Sequence, residues 1–184
     1  MLLQRELGIT DTECGALDVR NQCSGFIYAL SVAHQFASSG MYRNILVVGA
    51  EVHSMGLDYT TRGRNVTVIF GDGAGAAIVQ PTAESGEGIL ATCMHSNGTH
   101  AEELAFINPG CHGGRYGGIE NYGYLDEKEY GGTFLTQKMM DDALIYPNMN
   151  GQLVFKNAVQ KMPEAIMEVL NKACLLYTSP SPRD

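Results

Sequence analysis

Cys23 is the residue of this chain best suited to covalent chemistry. It sits in Leu17-Asp18-Val19-Arg20-Asn21-Gln22-Cys23-Ser24-Gly25-Phe26-Ile27-Tyr28-Ala29-Leu30. Leu17 and Val19, with neighbouring Ala16, form a short half-apolar run that predicts a strand, and Asn21 and Gln22 break it. From Phe26 the spacing turns helical. Phe26, Leu30, Ala33 and Ala37 share one face, with Ile27 beside them, and Gly40 stands where a left-handed residue commonly ends a helix. Cys23 is therefore expected at a helix N-terminus. Unpaired backbone N–H groups and the positive end of the helix dipole favour a thiolate there. The same donors could hold the oxyanion that forms when sulfur attacks a carbonyl. Small Ser24 and Gly25 leave room for an acyl group. A buried structural cysteine is the plainer alternative, and position alone favours it; the surrounding motifs tip the balance towards a nucleophile.

Three other groups of residues invite a chemical reading. Asp58, Arg62 and Arg64 fall in a loop predicted over 54–65. The arginines are either a solvated surface or a contact for phosphate. Gly71-Asp72-Gly73-Ala74-Gly75-Ala76 has the glycine density of a dinucleotide-binding turn, which needs a strand before it and a helix after it. The next residues, Ala77-Ile78-Val79-Gln80-Pro81, read as a strand ended by proline, so a glycine turn between closely packed backbones is favoured. Cys93, His95, His100, Cys111 and His112 are metal-ligand types, but their spacing fits no common zinc pattern. They are read as loop residues, with no metal site expected.

These residues need elements to position them. Residues 2 to 8 predict a helix end stopped by Gly8. Ile45 to Val52 is a near-continuous apolar run, consistent with a buried strand. Strand, helix and buried strand imply a right-handed βαβ crossover, with Cys23 at the C-terminal end of its strand, where open α/β sheets bind ligands. Val66–Phe70, Ala76–Val79 and Ile89–His95 are expected as further strands, and Gly71–Gly75 as a tight turn. From Ser96 to Gly132, periodicity gives way to Gly, Tyr, Asn and His. A short helix is predicted over Phe134–Leu144. Phe155–Ala173 predicts a helix with Val154, Ala158, Met162, Ile166, Val169 and Leu170 broadly on one face and a kink at Pro163.

The 184 residues suffice for one domain with a core. A net charge of −8 argues against a general nucleic-acid role. No apolar run is long enough to span a membrane, and Met1–Glu6 lacks the apolar stretch of a secretion signal. The five cysteines are odd in number and form no C-x-x-C pair, which suits a reduced, cytoplasmic setting. The two Asn-x-Thr triplets, at Asn65 and Asn97, are read as chance occurrences without such a signal.

Four segments in order carry a resemblance to a known family: Asn21-Gln22-Cys23-Ser24-Gly25-Phe26 leading into Ile45-Leu46-Val47-Val48-Gly49-Ala50-Glu51; Thr61-Arg62-Gly63-Arg64; Phe70-Gly71-Asp72-Gly73-Ala74-Gly75-Ala76-Ala77; and Asn150-Gly151-Gln152-Leu153-Val154-Phe155-Lys156-Asn157-Ala158-Val159. The chain resembles ketoacyl synthase III, the thiolase-fold condensing enzyme that starts type II fatty-acid synthesis, from about Leu2 to Cys174. The resemblance implies a layered α/β/α thiolase-like fold, here incomplete, with a mixed sheet and packed helices. It implies one partial domain over 1–174, an excursion over 96–150, and a tail over 175–184 unlike the rest. It implies that Cys23 accepts an acyl group from acyl-CoA for condensation with malonyl-acyl carrier protein, with no cofactor and with acyl-CoA as a substrate.

By the same resemblance, Arg62 and Gly63 match the pair that contacts the coenzyme A nucleotide, although Arg64 and Asn65 are two residues more than shorter family members carry. Gly151, Phe155 and Ala158 match positions lining the pantetheine channel, whose alternative role is ordinary helix packing. Lys156 and Lys161 could join the arginines in attracting the acidic carrier protein. The implied partners are acyl-CoA, acyl carrier protein and, at full length, a second copy in a homodimer, without nucleic acid or membrane. The family's histidine and asparagine, which stabilise the enolate, are expected after the helix at Phe155–Ala173, so no residue here is assigned to them. Two alternatives stand beside this reading: another thiolase-fold synthase of polyketide or hydroxymethylglutaryl-CoA type, and an inactive truncated fragment.

Overall fold

The computed structural model describes residues 2–10, 13–101, 103–106 and 135–175. Cys111, His112, the middle of the expected excursion and the tail from residue 176 lie outside them. The chain divides into two compact units, Met1–Gly49 with Gly75–Ile89, and Ala50–Ala74 with Leu90–Asp184.

In the first unit, α1 (Leu2–Glu6) ends at Gly8, which takes φ +69° as its stop-signal position requires. Helix α2 (Gly25–Ser38) has Ser24 as its N-cap. It closes through Gly40 at φ +75°, with the Gly40 N–H donating to Ala37 O (3.1 Å) and the Met41 N–H to Phe36 O (3.0 Å). This is the paired six-to-one and five-to-two closure that a left-handed residue permits. Tyr42 then lays its ring edge-on to Phe36, 5.7 Å between centroids.

The buried residues of α2 are Ser31, Ala33 and Ala37. Ser31 satisfies its hydroxyl on Ile27 O at 3.0 Å, which removes the cost of burying it. Ile27, expected beside the apolar face, is 54% exposed instead. Strand β1 (Ile45–Glu51) meets α2 at Gly49, where an added Cβ would lie 3.0 Å from the Phe26 ring. That contact anchors the start of α2, three residues beyond Cys23.

β1 pairs with β2 (Gly73–Val79) in a two-stranded sheet. The expected buried strand is mostly bare. Only Val47 is buried, while Leu46 and Val48 are 49% and 39% exposed. A sheet of two strands has too little area to cover both faces of a run as apolar as Ile45–Val48. The glycines expected as a tight turn are part of β2 from Gly73 onward. The strands expected at Leu17–Val19 and Ile89–His95 are not strands. An extended segment becomes a strand only when a neighbour completes its ladder, and β1–β2 and β3–β4 are the only pairings among the described residues. The βαβ crossover expected around Cys23 therefore lacks its first strand, and Cys23 follows an irregular segment.

The second unit is built around Leu57, Val66 and Met139, all buried. Helix α3 (Arg64–Thr67) lies where a strand was expected over Val66–Phe70. The β-branched run favours a strand only weakly. Here the buried Val66 and the Thr67 hydroxyl, donating to Asp58 O at 2.7 Å, hold it as a helical turn. Strand β3 (Leu104–Ala105), helix α4 (Gln137–Asp141) and strand β4 (Asn148–Met149) come next. β3 and β4 are antiparallel, with Leu104 opposite Met149 and Ala105 opposite Asn148, and α3 packs on β4.

The pairing extends one step through the Asn150 N–H to Glu103 O at 2.8 Å. Asn150 then caps helix α5 (Gly151–Lys172), its side-chain oxygen accepting from the Leu153 N–H at 3.3 Å. That cap starts the helix four residues before Phe155, the expected start. Helix α5 continues past Pro163. Of its expected apolar face, Met162 and Ile166 are 64% and 54% exposed. Val154, Ala158, Val169 and Leu170 of that face are half-buried, and Ala165 takes the place between them that Met162 and Ile166 leave. No helix among the described residues is long and apolar enough to cross a membrane.

Candidate active site

Cys23 lies one residue before the N-cap of the fourteen-residue helix α2, and its side chain is exposed. The Gly25 N–H is occupied by Gln22 O at 2.9 Å, which forms the turn that carries the cysteine. The Ser24 side chain makes no capping hydrogen bond. The donors of the first helical turn are thus not covered from within by the N-cap residue, as they are at Asn150 and Thr136. The thiol is thus open to solvent and just ahead of these donors in the chain; access and a place for negative charge to settle are what a nucleophilic thiol requires. Cys14 and Cys174 are also free and exposed, and Cys93 is free and half-buried. Exposure by itself therefore does not single out Cys23. Of these four, Cys23 is the one that immediately precedes the N-cap of a helix.

In the second unit, Arg62 and Gly63 close a short 3₁₀ turn, Thr61–Gly63, that runs directly into α3. Buried Asp58 organises this turn. Its Oδ1 accepts from the Thr60 N–H (3.0 Å) and the Thr60 hydroxyl (2.7 Å), and its Oδ2 accepts from Arg62 Nε (2.6 Å). Arg62 also places its guanidinium carbon 5.5 Å from the centre of the Tyr146 ring, within the range of a cation–π contact. Held by a carboxylate and a ring, Arg62 still has a side chain 58% exposed. The loop arginine is therefore pre-oriented, which suits recognition of a planar or anionic ligand group.

Gly63 shows a close approach. An added Cβ would run into the Asp58 carbonyl and side chain. The glycine is needed for space and not for a left-handed backbone. Gly151, the first residue of α5, is exposed; a Cβ there would meet the Met149 methyl at an ordinary 3.6 Å. Phe155 is 69% exposed and Ala158 half-buried, one turn further along the same helix. A bare aromatic ring beside small residues is a surface open to a ligand, though ordinary helices carry such rings too.

Neither the Asp58 anchor nor Tyr146 stands out in the sequence as a partner of Arg62. An aspartate two residues before a threonine is the local signal that could have found the first. Tyr146, 84 positions from Arg62, gives none. Asp72 of the glycine run likewise ties down its own neighbourhood, its two oxygens accepting from the Ser54 N–H (2.8 Å) and hydroxyl (2.6 Å). With β2 after it and no helix, the run carries no dinucleotide turn.

The hydroxyl and then the N–H of Thr60, followed by the Arg62 side chain, hold the Asp58 carboxyl below the usual carboxylate range. A lowered native pKa means that the ionised form stabilises the fold at all pH values above the unfolded value, about 3.9. That contribution is lost as pH falls through the native value. Asp58→Asn should therefore melt below the parent at neutral pH, and the gap should narrow below about pH 4. Thermal melts of both proteins from pH 7 to pH 3 check this.

Residues 17–98 match the family model for 3-oxoacyl-[acyl-carrier-protein (ACP)] synthase III. The chain is 34% identical over 171 residues to a beta-ketoacyl-[acyl-carrier-protein] synthase III of Ehrlichia canis (strain Jake), covering 93% of this chain and 44% of that protein. It is 33% identical over 171 residues to the protein of the same name from Sulfurovum sp. (strain NBC37-1), covering 93% and 43%. In backbone it matches the crystal structure of 3-oxoacyl-[acyl-carrier-protein] synthase III from Aquifex aeolicus VF5, with a TM-score of 0.69 and 33% identity over 95% of this chain and 44% of that one.

By sequence and by fold, the chain is ketoacyl synthase III-like. It spans less than half the length of the curated relatives it matches. The α/β class of the thiolase-fold enzymes holds for this ketoacyl synthase III-like chain. The matched stretch 17–98 includes Cys23, Arg62 and Gly63, while Gly151, Phe155 and Ala158 lie beyond it.

Proposed function

We propose that this chain is part of a ketoacyl synthase III-type acyltransferase of fatty-acid synthesis, with Cys23 as the acyl acceptor. The Cys23 thiolate attacks the carbonyl carbon of an acyl-CoA thioester. The new carbon–sulfur bond forms, the old one breaks, and coenzyme A leaves as its thiolate, which takes up a proton. Backbone N–H groups at the start of α2 stabilise the oxyanion between these events. Arg62 and Gly63 receive the nucleotide end of coenzyme A, and Gly151, Phe155 and Ala158 receive its pantetheine arm. The acylated cysteine then serves as electrophile for a malonyl unit delivered by acyl carrier protein, within the complete enzyme and its homodimer in the cytoplasm. No cofactor is needed, because decarboxylation of malonate supplies the carbanion.

The observation that carries this reading is the exposed Cys23 thiol at the uncapped start of α2. The names of the relatives supply the substrate class. Incubation of the chain with acetyl-CoA and subsequent intact mass measurement tests the first half-reaction. One acetyl group per chain, with free coenzyme A released in equal amount, is expected. A folded chain that takes up none contradicts the reading.

A further inference from the structure

Cys93 and His95 sit two residues apart on an irregular segment, and the side chains of both reach the same helix, α5. His95 Nε2 lies 2.6 Å from Glu168 Oε2, and Cys93 Sγ donates to Ala165 O at 3.4 Å, one helical turn before Glu168. The sulfur, the imidazole nitrogen and the carboxylate oxygen all lie within 4.8 Å of one another. The other oxygen of Glu168 is held by Lys172 Nζ at 2.7 Å. The sequence offered only Cys93-Met94-His95, which matches no common zinc spacing. The third group arrives from 73 residues away.

We infer that Cys93, His95 and Glu168 form a binding site for a divalent transition-metal ion of the zinc type, with solvent as fourth ligand. One thiolate, one imidazole and one carboxylate are donors that Zn²⁺ accepts, and three protein ligands leave the open position of a non-structural site. In a tetrahedral zinc site, ligand atoms stand about 3.4–3.6 Å apart, from bond lengths of about 2.0–2.3 Å. The sulfur needs to move inward by roughly an ångström, and the histidine and carboxylate need to part by less.

Binding releases the Cys93 thiol proton to solvent, frees Ala165 O, and replaces the direct His95–Glu168 hydrogen bond with two bonds to the ion. His95 then carries its remaining proton on Nδ1. Lys172 keeps its grip on the second oxygen of Glu168 and fixes the carboxylate's orientation, as outer-shell partners of metal ligands do. The side chain of His95 is 63% exposed, which gives an ion a way in.

Titration of the reduced full chain with Co²⁺ tests the site without reference to any activity. A thiolate-to-cobalt charge-transfer band with intense tetrahedral visible bands is expected at one equivalent, and Zn²⁺ should abolish it. Cys93→Ser should lose the charge-transfer band, and His95→Ala should weaken Co²⁺ binding more than about 100-fold, beyond the 10–100-fold typical of outer-shell changes. Cys14→Ser should retain both signals. His95 is exposed, so His95→Ala stays informative if Cys93→Ser does not fold. Absence of the band at saturating Co²⁺, or a band that survives Cys93→Ser, overturns the inference.

Discussion

Gly63→Ala is expected to destabilise the chain by about 1–3 kcal/mol, the range for forcing extra volume into a packed site. In a chain of this size that is a fall of roughly 2–12 °C in melting temperature. The cause is specific. The added methyl meets the Asp58 backbone carbonyl and Cβ, and neither is the far end of a flexible side chain that could swing aside. Relief requires moving the Asp58 backbone, which also carries the Thr67 hydrogen bond and the carboxylate that orients Arg62. The variant should therefore lose coenzyme A affinity as well as stability, because the pre-oriented arginine is released. Differential scanning calorimetry reads the first effect and calorimetric titration with coenzyme A the second. Gly151→Ala serves as the contrast: its Cβ has ordinary space, and its melting temperature should stay near that of the parent. A Gly63→Ala protein as stable as Gly151→Ala would mean that the turn at 58–63 yields more readily than its contacts imply.

Cys23→Ala is expected to bring acyl transfer from acyl-CoA to background, because the other described free cysteines, Cys14, Cys93 and Cys174, lie away from the start of α2. The same change should alter stability by no more than about 0.5 kcal/mol, as for other exposed positions away from special features. The separation of the two readouts is the point of the variant. A buried structural cysteine would show the reverse: retained transfer and a marked loss of stability. Parallel acetyl-CoA incubations and melts of parent and variant provide both numbers.

Local features of the structure were the legible ones. Gly8 and Gly40 announced two helix ends, because only a residue without Cβ takes those backbone angles cheaply. The 3.6-residue spacing from Phe26 announced α2, and with it the setting of Cys23. The long α5 was equally plain, although the Asn150 cap begins it ahead of Phe155, its expected first residue. Features that depend on partners distant in sequence were not legible. Leu17–Val19 and Ile89–His95 have strand composition, but a strand needs a neighbour, and among the described residues none pairs with them. Ile45–Val52 reads as a buried strand, yet burial is set by what covers a sheet and not by the strand's own residues. Val66–Phe70 has β-branched residues, yet its first two residues close a helical turn, because Val66 is buried and the Thr67 hydroxyl bonds Asp58 O that way. At the candidate sites, the reactive residue types were visible in the sequence, whereas the Tyr146 ring under Arg62 and the Glu168 carboxylate beside His95 are products of the fold.

That Cys23 is the acyl acceptor is tested most directly by a peptide map of the chain after brief exposure to acetyl-CoA. Intact mass counts acyl groups without locating them, and Cys14 and Cys174 are exposed thiols too. The acetyl group is expected on the peptide containing Cys23, with the peptides of Cys14, Cys93 and Cys174 unmodified. Acetylation spread across the exposed cysteines, or confined to Cys14 or Cys174, would contradict the assignment.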